Sequence, residues 1–309
     1  MRETLILVEK EDHALAFYDV ASGAVSGRVA LPAFPHELFV DVGRGYALVG
    51  HYGVITSAQE GAGGHSVIVV DCAARRVVNT LDCRPHGRIH GIGQDDAGRV
   101  YALSESDALI LVFDDARATG RPRAVVPTGG RKSHLLTVCR DGRTAFATNL
   151  LTGTVTKAFP SDPELIPKAL STGLRPEGVC LSDDERTLFA ANRGSNTITA
   201  IATRDFTVEA VAEVRPDPLR IYRAGPGRLL VVFHEGRGVS LMNRDLSQEI
   251  AFLPMPGRPT AAWVAPDGER AFVSVAPASS VELDLAALKV MSIRQTGRGP
   301  DACCVVSGT

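Results

Sequence analysis

The stretch RPEGVCLSDDERTLFAANRGSNTITAI, residues 175–201, runs through a short apolar segment, an Asp-rich turn, a second apolar segment, a polar loop and a third, alternating segment. Short β-branched and aromatic runs bounded by turn residues, with no helical period, read as strands of an antiparallel meander. The same order returns in RPDPLRIYRAGPGRLLVVFHEGRGVSLM from Arg215 and in RPTAAWVAPDGERAFVSVAPASSVELDL from Arg258. A further copy opens with GPDACCVVSGT from Gly299. Pro176, Pro216, Pro259 and Pro300 are 40, 43 and 41 residues apart. In the first half the theme recurs at FPHELFVDVGRGYALVGHYG from Phe34, RIHGIGQDDAGRVYALSESDALILVFD from Arg88 and SHLLTVCRDGRTAFATNLLTGTVTKAF from Ser133.

Four strands per unit at a period in the forties predict an all-β chain built as a β-propeller of four-stranded antiparallel blades. Six internal units start near residues 35, 89, 133, 176, 217 and 259, and the seventh is split. The C-terminal run Asp301–Val306 supplies its inner strand, and Thr4–Glu9, Ala14–Asp19 and Ser26–Leu31 supply the other three. Pairing the two ends closes a seven-bladed ring and removes exposed sheet edges. The whole chain, 1–309, is expected to be one propeller domain and, since it closes its own ring, a monomer.

Composition narrows the function classes. With 33 Lys and Arg against 35 Asp and Glu, the net charge of −2 gives no electrostatic reason to expect nucleic acid or an anionic membrane. No run approaches the length of a membrane-spanning helix. The apolar start at Thr4–Val8 is too short for a signal core, so a cytoplasmic location is expected. The six Cys lack CxxC spacing and sit mostly in apolar runs, as buried packing residues do, Cys303 and Cys304 on the closing strand among them. No nucleotide, flavin or haem motif is present, and GAGG at 61–64 lacks the strand-to-helix context of a phosphate loop. No obligate protein partner is indicated.

The segment DDERTLFAANRGSNTITAI resembles the YVTN-type propeller repeat, in which a turn leads into a strand, then a polar residue, then a Thr-Ile-like pair. The resemblance covers nearly the whole chain and implies kinship with the lactonase-like seven-bladed propellers, specific for fold and unspecific for activity. Oligogalacturonate lyase and virginiamycin B lyase are metal-dependent propellers, and lactonases related to 6-phosphogluconolactonase share the repeat style. These are analogies of architecture, with no motif matched residue by residue.

Superposing the units places equivalent residues around the channel. The start of the inner strand carries His36, His90, His134, Glu177, approximately Leu219, Thr260 and Asp301. Fifteen residues later come His51, Glu105, Asn149, Asn192, His234, Val275 and approximately Glu9 or Lys10. Antiparallel strands return both positions to one mouth of the channel. Five of the eight His fall on these two positions.

Neutral imidazoles and a carboxylate converging from adjacent blades suit a divalent ion (Mn, Fe, Ni or Zn) with a position left open. His36, His90, His134 and Glu177 are the candidate ligands, and Glu105, Asn149 and Asn192 are acceptors that orient the imidazoles or touch substrate. His51, His234 and Tyr222 are candidates for proton transfer, and Arg220 and Asp301 for anchoring substrate. A metal-free acid–base pocket would use the same residues. His86 is an alternative to His90 in the ring, and the Gly-rich insertion 55–66 reads as a loop over the same mouth that carries His65. His13 is expected at the surface. The expected function is a metal-dependent lyase or lactone hydrolase acting on a small polar substrate. The alternative is a non-catalytic propeller that binds a metal, a small ligand or a partner protein.

Overall fold

A computed structural model describes residues 2–308. The strands form seven four-stranded antiparallel sheets, each a simple meander, arranged as a seven-bladed β-propeller. The inner strands are Pro35–Asp41, Ile89–Gln94, Ser133–Val138, Pro176–Leu181, Pro218–Arg223, Arg258–Val264 and Pro300–Ser307. Each contacts the inner strands of both neighbouring blades, and Pro300–Ser307 lies between the last blade and the one that begins at Pro35. That strand pairs with Glu3–Glu9, placing Leu5 opposite Val305 and Leu7 opposite Cys303. Ala14–Asp19 and Val25–Ala30 complete this closing blade, here blade 1, and the blades starting at residues 35, 89, 133, 176, 218 and 258 are blades 2 to 7. In blade 6 the inner strand opens at Pro218, two residues after the Pro216 of the sequence repeat.

Alternation within the strands gives each sheet two apolar faces, and the core is a set of clusters between neighbouring blades rather than one central mass. Between blades 7 and 1, for example, Phe272, fully buried, packs with Leu5, Leu7, Tyr18 and Cys303. Cys303 is likewise buried, and that burial pushes its thiol up to about 12, leaving it protonated and inert. Polar ties seal the closure. Glu9 is fully buried, receives Arg28 Nε at 2.7 Å and Gly297 N–H at 2.8 Å, and also accepts the Tyr18 hydroxyl.

Two backbone devices repeat around the ring and build the mouth. Each inner strand carries one extra residue just after its start, a bulge that interrupts the pairing between Pro35 and Leu38, Ile89 and Ile92, Ser133 and Leu136, Pro176 and Val179, and their equivalents. A bulge re-aims the side chains beside it. The residue just before the strand is left-handed in six blades, with φ of 52° at Phe34, 51° at Arg88, 60° at Lys132, 52° at Arg175, 62° at Asp217 and 64° at Gly299. The carbonyls of Arg88, Arg175 and Asp217 accept the N–H groups of Glu105, Arg193 and His234 at 3.0–3.2 Å, which pins the end of the second strand to the start of the first. Only Gly299 adopts this conformation freely; for the others it costs about 1 kcal/mol each.

Among the described residues no helix is long and apolar enough to cross a membrane.

Candidate functional site

The bulges turn all seven inner-strand starts toward one cavity of about 350 Å³ at the channel mouth. His36, His90, His134, Glu177, Leu219, Thr260 and Asp301 line it. Lys10, Arg193 and His234 join them from second-strand ends, and Arg220 comes from the bulge of blade 6. Thr56, Ser57 and Ala58 of the insertion border the same cavity. That loop is fastened across the mouth. Arg88 Nε donates to Gly61 O at 3.0 Å, a further Arg88 nitrogen reaches Gln59 O, and Lys132 Nζ reaches Ser57 O. His65 lies outside the lining, with Nδ1 donating to His86 O at 3.0 Å.

The imidazoles at equivalent positions have different surroundings. His134 lies between two carboxylates, Nδ1 at 2.5 Å from Glu105 and Nε2 at 3.4 Å from Glu177. Burial opposes its charge, yet the two carboxylates outweigh burial and push its pKa up to about 9. Burial would likewise raise Glu177, but His134, Arg193 and Arg220 hold it well below the ordinary carboxylate range. Arg193 bridges Glu177 at 2.8 Å and Asp217 at 2.6 Å, so alternating charges run from Asp217 through Arg193, Glu177 and His134 to Glu105. Glu105 also receives Tyr52 Oη at 2.7 Å and Arg88 Nη1 at 3.2 Å.

His36 and His90 are neutral. Burial drives His36 down to about 3 despite Asp301, whose carboxylate lies 3.3 Å from Nδ1 and is shared with Lys10 at 3.5 Å. Burial and the His134 charge hold His90 well below the usual imidazole range. The His90 ring stacks on His134 with centroids 3.8 Å apart and planes tilted by 32°, and Tyr52 meets His36 and His90 edge-on at 4.6 and 4.7 Å. Arg220 reaches across the channel to Glu37, Nη2 to Oε1 at 2.5 Å. Burial raises Glu37, and the guanidinium works to keep it ionised. Three buried polar atoms of the lining have no hydrogen-bond partner: His36 Nε2, Arg220 Nη1 and His90 Nδ1, the last of which lies 3.9 Å from Glu37 Oε1. Each such group costs about 1–3 kcal/mol unless something meets it.

The structure thus brings His36, His90, His134, Glu177, Asp301, Arg220 and His234 around one cavity, with Glu105 bonded to its wall. His234 is fixed by Nδ1 donating to Pro259 O at 3.0 Å. Tyr222 lies two residues beyond Arg220, outside the lining, and its hydroxyl accepts Ala262 N–H at 3.0 Å. His51, Asn149 and Asn192 face into their own blades: His51 Nδ1 meets Ser66 Oγ at 3.3 Å, Asn149 donates to Thr154 and Thr156, and Asn192 to Thr197 and Thr199. The cause is register. The first residue of the inner strand pairs sixteen positions downstream in blades 2, 4 and 5 (Pro35 with His51, Ser133 with Asn149, Pro176 with Asn192) and fifteen in blades 3 and 6 (Ile89 with Ser104, Pro218 with Phe233). A constant spacing therefore selects mouth residues in two blades and blade-facing residues in three, because one step reverses the side chain. The residues it misses are Tyr52 and Arg193, one position beyond His51 and Asn192; of the two residues it left open in blade 1, Lys10 rather than Glu9 lines the cavity. Glu37 escaped the reading because it is the added residue of a bulge.

His86 stands apart, Nδ1 at 2.6 Å from Asp107, and His90 holds the ring position. His13 is partly buried against Phe34, ring centroids 4.8 Å apart, rather than free at the surface. As a metal shell, His36, His90, His134 and Glu177 are close but not convergent. Both His134 nitrogens face carboxylates, its ring is stacked on His90, and no group of three His, Cys, Asp or Glu among the described residues is set to hold one ion.

No known protein family matches the chain, and no curated protein resembles it in sequence. Its fold is similar to that in the crystal structure of a functionally unknown protein from Desulfotomaculum acetoxidans DSM 771. The TM-score is 0.80 at 10% identity, over 99% of both chains. That likeness establishes the seven-bladed propeller and nothing about activity.

Proposed function

We propose that the protein is an enzyme that moves protons on a small polar substrate in this cavity, by elimination or lactone hydrolysis, without a metal ion. The observation that carries the reading is a charged imidazole, His134, fixed between two carboxylates beside two neutral ones, His36 and His90, under one loop. Environments that drive like groups to opposite protonation states divide acid–base roles. With Nδ1 facing Asp301, His36 keeps its proton there and offers the Nε2 lone pair, a base whose strength rises when an anionic substrate settles beside it. His134 and Arg220 supply fixed positive charge where an enolate or oxyanion would develop. His234, its Nδ1 occupied by Pro259 O, presents Nε2 for the second proton transfer. At about 350 Å³ the cavity is at the small end of ligand pockets. Kinship with the YVTN and lactonase-like propellers is part of the same proposal, supported by the repeat through Asp184–Ile201.

The test is deuterium incorporation from heavy water, or ring opening, followed by proton NMR over a panel of lactones and small carboxylates, with metal content measured on untagged protein. Turnover unaffected by a chelator and lowered about a hundredfold or more in a folded His36→Gln variant is the expected outcome. One equivalent of Mn, Fe, Ni or Zn whose removal stops turnover would overturn the metal-free chemistry. Ligand binding without turnover would leave a binding propeller.

A further inference from the structure

Arg220 is 6% exposed, yet of its two terminal nitrogens only Nη2 has a partner, Glu37, reached across the channel. Nη1 is buried without an acceptor beside two neutral imidazoles that each hold an unpartnered nitrogen, His36 Nε2 and His90 Nδ1. We infer that this cavity takes a small hydroxy-monocarboxylate, the carboxylate meeting Arg220 and the hydroxyl donating to His36 Nε2. The inference rests on the acid–base reading for its site and names the substrate class.

Three observations select that class. Arg220 Nη1 lacks an acceptor, and a carboxylate oxygen is the acceptor a guanidinium binds most strongly. His36 Nδ1 faces Asp301, so Nε2 is a lone pair that needs a donor, which a hydroxyl supplies and a plain carboxylate does not. The charges of the wall favour a monoanion. Around the wall Lys10 pairs with Asp301, Arg88 and His134 with Glu105, Arg193 and His134 with Glu177, Arg193 with Asp217, and Arg220 with Glu37. Arg175, exposed at the rim, and Lys132, which reaches the carbonyl of Ser57, have no carboxylate partner among the described residues, so the mouth carries an excess of positive charge. A monoanion satisfies that excess at less cost than a phosphate dianion, which would stand against Glu177 and Asp301 in the lining and Glu37 beside it. Arg175 also occupies a left-handed position, φ 52°, that Gly299 fills without strain in blade 1. The exposed guanidinium of Arg175 at the rim suits capture of an incoming anion.

Isothermal titration calorimetry of the whole chain against glycolate, lactate and gluconate, their hydroxyl-free counterparts acetate, propionate and hexanoate, and inorganic phosphate tests this. At least one hydroxycarboxylate should bind, its hydroxyl-free counterpart about tenfold more weakly, and phosphate not measurably. Because Arg220→Gln alone strands Glu37, the informative variant is Arg220→Gln with Glu37→Gln, which keeps the cross-channel contact neutral. It should weaken binding at least tenfold, and Arg175→Gln should weaken it several-fold with a shallower salt dependence. Absence of binding by every carboxylate, tighter binding of phosphate, or undiminished binding by the double variant would overturn the inference. The two proposals fail separately. Binding that persists without proton exchange overturns the acid–base reading alone, and exchange on lactones without carboxylate binding overturns this one alone.

Discussion

His36 and His134 occupy the same repeat position two blades apart, on the same bulge, with similar burial of 6% and 4% exposure, yet one is neutral and the other charged. The difference lies in what the flanking blades bring. His134 has a carboxylate against each nitrogen, at 2.5 and 3.4 Å. His36 has one, at 3.3 Å, and Lys10 competes for it. At these buried positions the number of carboxylates not already claimed by a fixed cation decides protonation, because burial penalises both rings about equally. A propeller exploits this readily: the backbone repeats, and single substitutions at second-strand ends, Tyr52, Glu105, Arg193 or Lys10, give each inner-strand residue its own field.

Glu105→Gln should break the contrast most severely. It removes a charge from His134 and Arg88 while the amide oxygen still accepts from Tyr52. Breaking a buried pair from one side costs about 3–5 kcal/mol, so urea unfolding should show a loss of that size. The matched control is Glu235→Gln at the rim, where the pair with Arg258 spans 3.1 Å and both side chains are about half exposed; it should cost under about 1 kcal/mol. Equal losses would mean that the chain of charges through His134 does not hold the mouth together.

The pH dependence of stability separates the two rings by sign. His134 is raised from 6.5 to about 9, so its contribution is complete below pH 6.5 and lost as pH rises toward 9. Glu105 and Glu177 are lowered, so theirs is complete above about pH 4.5 and lost in acid. His36, lowered to about 3, runs opposite to His134: its contribution is present above pH 6.5 and lost as pH falls toward 3. Between pH 6.5 and 9 wild type should therefore lose on the order of 3 kcal/mol more than His134→Gln. Taking the difference cancels the buried thiols, raised in both proteins, whose unfolded forms begin to ionise near pH 9. Parallel curves for the two proteins would place His134 among the neutral imidazoles.

The contrast also marks what the sequence made legible. The inner-strand starts could be read because the repeat fixes them relative to a Pro or its equivalent, and every one of the seven lines the cavity. The second ring was half legible. Glu105 and His234 came out because the inner hairpin is one residue shorter in blades 3 and 6. Tyr52, Arg193 and the choice of Lys10 over Glu9 stayed hidden, since hairpin length is set by turn and bulge geometry that a residue count does not see. Cross-channel pairs such as Arg220 with Glu37, 183 positions apart in the chain, carry no local signal at all.

Lys10→Met is the mildest change and the sharpest test of the rule. It removes a cation that lowers His36 and that holds Asp301 at 3.5 Å, while keeping the aliphatic stem against the cavity wall. Asp301 is then shared only with the more distant charge of Arg220, so the His36 pKa should rise by about one unit, worth about 1.4 kcal/mol. His134, with both of its carboxylates intact, should barely move. Proton NMR titration of the two rings reads both values in one experiment. A His36 pKa that stays near 3 would show that burial, and not competition for Asp301, keeps this ring neutral. A His36 that shifts upward while His134 holds still would show that one second-strand residue sets the protonation of the inner-strand residue facing it, which is the rule drawn from the two blades.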